Sequence, residues 1–337
     1  MTNIPTWKLL ILVLPLWISC GVSADSLVVP GGVISLEWRS EFTPAEQSLL
    51  KQWLAKAAHT ASQLAGTFPR RESRVVIQRA GSRRGSGRWP VPWGQTIRSG
   101  LEGVSFQVNT AKPLREFIDD WTAAHEFSHL FIPYPGRRDI WLSEGFASYY
   151  QNILMAREGL LTEQRAWQKL YEGYMRAEQD SNPDHTLIEV SEGRRRFRAT
   201  MRIYWSGALF FMEADIALRR ASNNQLSLDW VLDQYIDCCR DQRDGWNGEQ
   251  MLASFDEIIK SNAILVKSVE ADYFSGLYQR YSKSTKIPDS EPLFEQLGIT
   301  IVNGEVQLGG ETETVILRQD FTRPRKAPLT ADQDPLI

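Results

Sequence analysis

The stretch AAHEFSHLFIPYPGRRDIWLSEGFASYY, residues 123–150, decides how this sequence folds and which chemistry it can support. It holds two of the chain's four histidines, His125 and His129, with Glu126 directly after the first. Residues four apart in a helix lie on nearly the same face, so both imidazoles can point at one metal ion. Glu126 lies further round the helix, where its carboxylate reaches the edge of such a site without filling it. The spacing therefore predicts a metal-binding helix.

A metal site of this kind needs a third protein ligand. Catalytic zinc has three protein ligands and one position open for water. Glu144 is the best candidate, because a turn containing Pro and Gly lets a second helix run back antiparallel to the first. Helices that pack about 8–10 Å apart bring a glutamate of one within reach of histidines on the other. We expect one Zn²⁺ ion held by His125, His129 and Glu144.

The residue pattern also suggests a mechanism. Zinc lowers the pKa of a bound water to roughly 7 and polarises a carbonyl group. A carboxylate beside that water can take its proton and pass it to a leaving amine, and Glu126 is placed to be this general base. The alternative is a structural pair of histidines satisfied by carboxylates, which leaves the position of Glu126 unexplained.

The rest of the chain predicts an α+β fold, with a small strand-containing N-terminal lobe and a mainly helical C-terminal lobe. We expect the N-terminal α/β lobe over residues 25–113, the helical zinc-binding lobe over 114–284, and a β-hairpin segment with a loose tail over 285–337. Thr43 and Glu46 form a capping box that opens the first helix. The expected strands cover 74–78, 103–109, 299–308 as a hairpin, and 314–318; the expected helices cover 114–131, 143–158, 162–179, 199–221, 227–240 and 248–260.

The first 24 residues resemble a secretory signal, with Lys8 before an apolar run and a small-residue cleavage site ending at Ala24. The apolar run is too short to span a bilayer, and no transmembrane segment is expected later. We expect export to the periplasm or the extracellular medium. Cys20 makes lipoprotein anchoring the less favoured alternative.

The composition limits the classes of binding partner that can be expected for this protein. The 337 residues carry a net charge of −3, which gives no general attraction to nucleic acid.

Cys238 and Cys239 are adjacent within a predicted helix, and we expect two packed, unbonded cysteines there.

HEFSH followed by WLSEGFASYY, residues 125–129 and 141–150, resembles the gluzincin metallopeptidases, and the wording SEGFASYY is most similar to the glycyl aminopeptidase family. The resemblance covers about residues 95–220. It implies a thermolysin-like zinc peptidase core and a peptide substrate. It also implies the zinc ligands His125, His129 and Glu144, with Glu126 as base.

Two further segments extend the resemblance. IYWSGALFF, residues 203–211, is similar to the Tyr-x-x-Gly-Ala segment of zinc aminopeptidases, which implies that Tyr204 donates to the oxyanion; without the family, Tyr204 would be a core residue. SGLEGVS, residues 99–105, resembles a cleft-lining segment of glycyl aminopeptidases. This implies that Glu102 holds the substrate's amino terminus and that Gly100 allows close backbone approach. An exposed turn is the alternative.

Two features of the sequence depart from the family pattern, and a pair of arginines adds a further candidate site for substrate binding. Only residues 130–143 separate His129 from Glu144, fewer than relatives usually have, and Gly103 replaces a histidine. Arg198 and Arg202 lie one helical turn apart before Tyr204, so they could bind a substrate carboxylate, although such arginine runs are usually solvated.

The sequence thus predicts an exported zinc-dependent metallopeptidase of aminopeptidase type. Two alternatives remain open at this point. One is a zinc amide hydrolase that acts on cell-wall peptides, and the other is a non-catalytic binding protein that retains the fold.

Overall fold

The computed structural model describes residues 25–81, 87–180, 182–242 and 245–325. The N-terminal part forms a five-stranded sheet in the order β1-β2-β3-β5-β4. Its central strands run parallel, whereas β1 and β4 pair antiparallel at the two edges. The strands are β1 (Ser26–Val29), β2 (Gly32–Trp38), β3 (Glu72–Arg79), β4 (Trp93–Ile97) and β5 (Gly103–Val108).

Helix α1 (Pro44–Ser62) connects β2 to β3 and covers the sheet. The predicted capping box is confirmed, because the Thr43 side chain and the Glu46 side chain each accept the other's backbone N–H. Trp53 of α1 packs its ring against Phe106 of β5. These residues belong to the first hydrophobic core, which lies between α1 and the sheet.

The prediction of one continuous helix over residues 114–131 is wrong. The structure has α2 (Leu114–Asp119) and α3 (Thr122–Ser128), followed by a 3₁₀ turn (His129–Phe131). The chain extends at Asp120, whose carboxylate accepts the Thr122 N–H at 2.8 Å. A short Asp side chain that bonds to nearby backbone competes with the helical ladder, which explains the break.

Helix α3 is buried over its full length and lies between the two cores of the molecule. Phe127 belongs to the first core and Phe131, just after the helix, to the second. The HExxH histidines are therefore held by packing on both sides, which makes their positions rigid.

The C-terminal part is mainly helical, as predicted. Helices α4 and α8 cross at its centre, and α4 begins at Ile140, three residues before the predicted start. The helices are α4 (Ile140–Arg157), α5 (Glu163–Gln179), α6 (Leu187–Glu192), α7 (Arg194–Phe197), α8 (Thr200–Ala221), α9 (Leu228–Cys238), α10 (Gly248–Ser261), α11 (Leu265–Ser268), α12 (Tyr273–Ser282) and α13 (Glu291–Gln296), with a 3₁₀ turn at Arg240–Gln242.

Two glycines set the distance between α4 and α8. A Cβ added to Gly207 of α8 would lie 2.0 Å from the Trp141 carbonyl oxygen, and one added to Gly145 of α4 would lie 2.2 Å from the Gly207 Cα. The backbones of the two helices therefore touch at this crossing. Gly145 follows Glu144 directly, so the close crossing also brings Tyr204 of α8 towards the metal ligands.

The end of the chain differs in part from the prediction. β6 (Ile299–Val302) and β7 (Glu305–Leu308) form the predicted hairpin, with Asn303 and Gly304 both at positive φ. The strand predicted over residues 314–318 is wrong, because α14 (Thr312–Thr322) occupies this region. Leu317 and Phe321 are buried one helical turn apart. Burial of this apolar face favours a helix more strongly than the β-branched residues before it favour a strand. Most of the predicted loose tail lies outside the described residues.

The expectation of two unbonded cysteines is also wrong, since Cys238 and Cys239 form a disulfide. The predicted helix was too long. Helix α9 ends at Cys238, and Cys239 has a φ of −135°, outside helical geometry, so a bond between neighbours becomes possible.

No helix of the described residues is both long and apolar enough to cross a membrane. The predicted signal segment, residues 1–24, and Cys20 lie outside the described residues.

Candidate metal centre

The structure brings the three predicted ligands together. The Nε2 atoms of His125 and His129 lie 3.4 Å and 3.6 Å from Glu144 Oε2. One ligand atom from each residue lies within 4.8 Å of the others. Ligands about 2.0–2.2 Å from a tetrahedral zinc ion would be separated by roughly 3.3–3.6 Å, so the distances from Glu144 to the two histidines fit zinc.

Hydrogen bonds orient both imidazoles. Nδ1 of His125 lies 2.8 Å from Gln151 Oε1, and Nδ1 of His129 lies 3.0 Å from Ser143 Oγ. A metal ion bound at both Nε2 atoms would require the tautomer in which each Nδ1 carries the proton and donates it to these oxygens. Partners of this kind are a regular part of metal sites, because they select the tautomer and hold the ring.

The protonation behaviour of the cluster agrees with a cation site. Burial by itself would raise the pKa of Glu144, but hydrogen bonds from His125 and His129 hold it well below its usual range. Burial would lower the pKa of His125, whereas its hydrogen bond to Glu144 and the charge of Glu126 raise it. The carboxylate of Glu144 therefore stays ionised and suited to a metal ion.

Glu126 lies beside the three ligands and is held in place by the edge strand β4. Its Oε2 accepts a hydrogen bond from Thr96 Oγ1 at 3.1 Å, and its side chain is buried. A Cβ added to Gly94 of β4 would lie 2.6 Å from Glu126 Cγ and 2.9 Å from Thr122 Cγ2. Glycine at this position leaves the space that the Glu126 side chain occupies.

We expect Gly94→Ala to lower turnover about 100-fold, because a methyl group here must displace Glu126 and a displacement of about 1 Å in a catalytic group has an effect of this size. Steady-state kinetics and zinc content would check it, with zinc binding unchanged. Gly276→Ala is the matched control, since a Cβ there meets open space on helix α12. Normal turnover of Gly94→Ala would contradict the contact described here.

Tyr204 lies next to the proposed metal ligands. Its ring stacks on His125, with centroids 5.8 Å apart and planes 13° from parallel. Burial raises the pKa of Tyr204 well above its ordinary value, and the neighbouring charge of Glu144 raises it further. The hydroxyl group therefore remains protonated and can act as a hydrogen-bond donor.

The segment around Glu102 is close to the site but differs from its expected use. Glu102 forms ion pairs with Arg70 at 2.5 Å and with Arg98 at 3.4 Å. Arg98 in turn donates to the carbonyl oxygens of His129 at 2.6 Å and Ile132 at 3.1 Å. Glu102 thus contacts the residue that holds the end of the metal-binding segment.

A Cβ added to Gly100 would meet no atom of the described residues within 4 Å, so no contact among them requires glycine there. Its φ of +66° is what favours glycine, so it serves the turn between β4 and β5.

Arg202 does not face the cleft as predicted. It is fully buried and donates to the backbone carbonyl oxygens of Asn182, His185 and Ser284 at 2.7–3.0 Å. Arg202 therefore joins the loop before α6 to the segment after α12. Arg198 is exposed and adopts a left-handed conformation between α7 and α8.

The arginine that does reach the metal centre is Arg194, whose Nη1 lies 3.5 Å from Glu144 Oε1. The sequence offered no spacing signal for it. A signal did exist for Gln151, which lies seven residues after Glu144 and hence on the same face of α4.

Comparisons with known proteins agree with this geometry. A sequence model of the M61 glycyl aminopeptidase family matches residues 134–209. A comparison with curated proteins finds no match. The aminopeptidase N family protein from Idiomarina loihiensis has a similar structure, with a TM-score of 0.58 and 14% identity over 82% of this chain and 49% of its own. The chain shares the fold of this aminopeptidase N family protein. The predicted resemblance and the α+β class are thus confirmed.

A second solved structure that the comparison finds is an M1 zinc metallopeptidase mutant from Deinococcus radiodurans, bound to a Tyr-Ser-Ala substrate. It shares 13% identity over 79% of this chain and 52% of its own, at a TM-score of 0.48. The chain described here spans about half the length of these structures.

Proposed function

We propose that this protein is a zinc-dependent peptidase in which His125, His129 and Glu144 hold one metal ion and Glu126 is the general base. The observation that carries the proposal is the convergence of two Nε2 atoms and one carboxylate oxygen with a further, separately anchored carboxylate beside them. A binding protein has no need for a base next to a metal site, so this arrangement favours catalysis over the silent alternative.

A bound zinc ion supplies Lewis-acid chemistry, since it acidifies water and polarises a carbonyl group. Glu126 takes a proton from the attacking water and returns it to the leaving amine. Thr96 anchors Oε2 of Glu126, which keeps the carboxylate in one orientation during both transfers. Tyr204 donates its hydroxyl proton in a hydrogen bond to the oxyanion that develops on the substrate.

The edge strand β4 offers a place for the peptide. It forms the outer strand of the sheet, and Gly94 and Thr96 place its backbone beside Glu126. An extended peptide can pair with the free edge of such a strand through main-chain hydrogen bonds. Trp93 of this strand and Trp121, whose ring packs against His125, are 55% and 43% exposed, so both rings are available to peptide side chains.

We further propose that the protein acts as an aminopeptidase, which the family match supports, and that it is exported, which the signal-like first 24 residues support. Glu102 is not proposed as the group that binds the substrate amine, because two arginines already neutralise it. It acts instead as a positioning residue for Arg98 and the end of the metal-binding segment.

Product analysis tests this function. The zinc-loaded protein is incubated with a pool of peptides and, separately, with cell-wall peptides, and the product masses are followed. Stepwise loss of amino-terminal residues from the peptide pool is the expected result. Internal cuts would indicate an endopeptidase, and cleavage confined to cell-wall peptides would favour the amide hydrolase alternative.

Tyr204→Phe is expected to lower kcat about 10²- to 10³-fold with little change in KM, because one hydrogen-bond donor to the oxyanion is lost. Steady-state kinetics on the best substrate found in the product analysis would check it. Tyr171→Phe is the control: it removes the hydroxyl of another half-buried tyrosine, which packs on Phe294 away from the metal ligands. Equal kcat values for Tyr204→Phe and the wild type would remove Tyr204 from the mechanism.

A further inference from the structure

A basic cavity of about 370 Å³ lies next to the metal centre. One wall comes from the turn before α4, with Tyr134 and Arg137, and from Ile140 at the start of that helix. The opposite wall is the segment 191–196, which contains three consecutive arginines. This volume is large enough to hold one amino-acid side chain together with water.

The cavity shares a residue with the metal centre. Arg194 lines it and also lies 3.5 Å from Oε1 of Glu144, the predicted zinc ligand. Ile140 is one helical turn before Glu144 on α4. A peptide that reaches the metal centre can therefore place a neighbouring group in the cavity.

The charge of the cavity is strongly positive. Four arginines line it, Arg137, Arg194, Arg195 and Arg196, against a single acid, Glu192. Within the part of the chain that the structure describes, no carboxylate lies within ion-pair distance of Arg137, Arg195 or Arg196. These three guanidinium charges of the cavity are thus not balanced by a carboxylate of the described residues within ion-pair distance.

We propose that this cavity is a specificity subsite that binds a carboxylate of the peptide substrate. The inference rests on the proposed peptidase function and adds the substrate class, which is an acidic peptide. Guanidinium groups match carboxylates in shape and form charge-assisted hydrogen bonds with them, and Tyr134 adds an exposed ring at the rim. The carboxylate can come from a Glu side chain or from the free carboxyl end of a short peptide.

Binding to the Glu126→Gln variant tests the subsite without turnover. Four versions of one peptide are compared, with Glu or Gln beside the scissile bond and with a free or amidated carboxyl end. A charge-assisted contact predicts dissociation constants about 10- to 100-fold lower for the version that carries the recognised carboxylate. A preference for Glu identifies the side chain as the source, and a loss on amidation identifies the carboxyl end.

The double substitution Arg137→Gln and Arg195→Gln, added to the same variant, is expected to abolish this preference. Both arginines are exposed, so folding should be unaffected, which thermal unfolding would check. Arg115→Gln is the control, because Arg115 is equally charged but 89% exposed on α2. Equal affinities for all four peptides, or a preference that survives the double substitution, would overturn the inference.

A parallel assay separates this inference from the proposed function. Hydrolysis of all four peptides by the wild type at equal efficiency would leave the peptidase function intact and contradict the subsite. Binding that depends on the carboxylate and on both arginines, without hydrolysis of any peptide, would support the subsite and contradict the peptidase function.

Discussion

Glu126→Gln is expected to lower peptide hydrolysis about 10²- to 10⁴-fold while zinc binding is retained, since an amide keeps the shape of the side chain but cannot take a proton. The structure indicates that this substitution removes the base without disturbing the surrounding side chains. Glu126 is buried beside the ligands and accepts a hydrogen bond from Thr96, and a glutamine carbonyl oxygen can accept the same bond. Rates measured at saturating zinc, with metal content determined on the same samples, would check it.

Glu116→Gln provides the control for this substitution. Glu116 is a surface residue of α2 that pairs with Lys112, and its side chain is 44% exposed. Turnover of this variant should equal that of the wild type. A Glu126→Gln variant that hydrolyses peptides at a normal rate would exclude Glu126 as the base.

Glu144→Gln is expected to reduce zinc affinity by well over the 10- to 100-fold typical of residues that only orient a metal ligand. Glu144 supplies the only carboxylate in the ligand cluster found among the described residues, and both imidazoles face it. The substitution also leaves Arg194 without its acidic partner. Titration of the metal-free variant with zinc against a competing chelator gives the affinity directly.

Glu172→Gln is the matched control for Glu144→Gln, because Glu172 pairs with Arg165 on the exposed face of α5. Its zinc affinity should not change. Zinc affinity of Glu144→Gln within a factor of a few of the wild type would mean that another residue is the third ligand.

The clustering of the three proposed metal ligands could be predicted from the sequence because their spacing follows helix geometry. His125 and His129 lie one turn apart, and the Pro and Gly residues before α4 indicate the reversal that returns Glu144 to them. The parallel strands around residues 74–78 and 103–109 were also predictable from their apolar runs. These features depend on local patterns, which a single sequence contains.

Features that depend on long-range contacts were missed. Strand β4 is five residues long, contains Gly94 and follows a stretch rich in Gly and Arg, so its local signal was that of a loop. Its place beside Glu126 is decided by pairing with β5, which comes later in the chain. The helix α14 was mistaken for a strand because burial of Leu317 against distant helices decides its conformation.

The arginines show most clearly that a local sequence pattern does not predict long-range contacts. Arg202 looked exposed and available from its spacing, yet three carbonyl groups from distant segments surround it. Arg194 lies in a run typical of solvated surfaces, yet it reaches Glu144. Whether an arginine supports the fold or faces a ligand is decided by which carbonyl and carboxylate groups the tertiary structure brings to it.

Zinc-dependent catalysis is tested most directly by a zinc titration of the metal-free protein in which bound zinc and the initial rate of peptide hydrolysis are measured together. Activity is expected to rise in proportion to bound zinc and to reach its maximum at one ion per chain, with Glu126→Gln binding the same ion but remaining inactive. A wild-type protein that binds one zinc ion and hydrolyses no peptide, or one whose activity is independent of zinc, would contradict zinc-dependent catalysis.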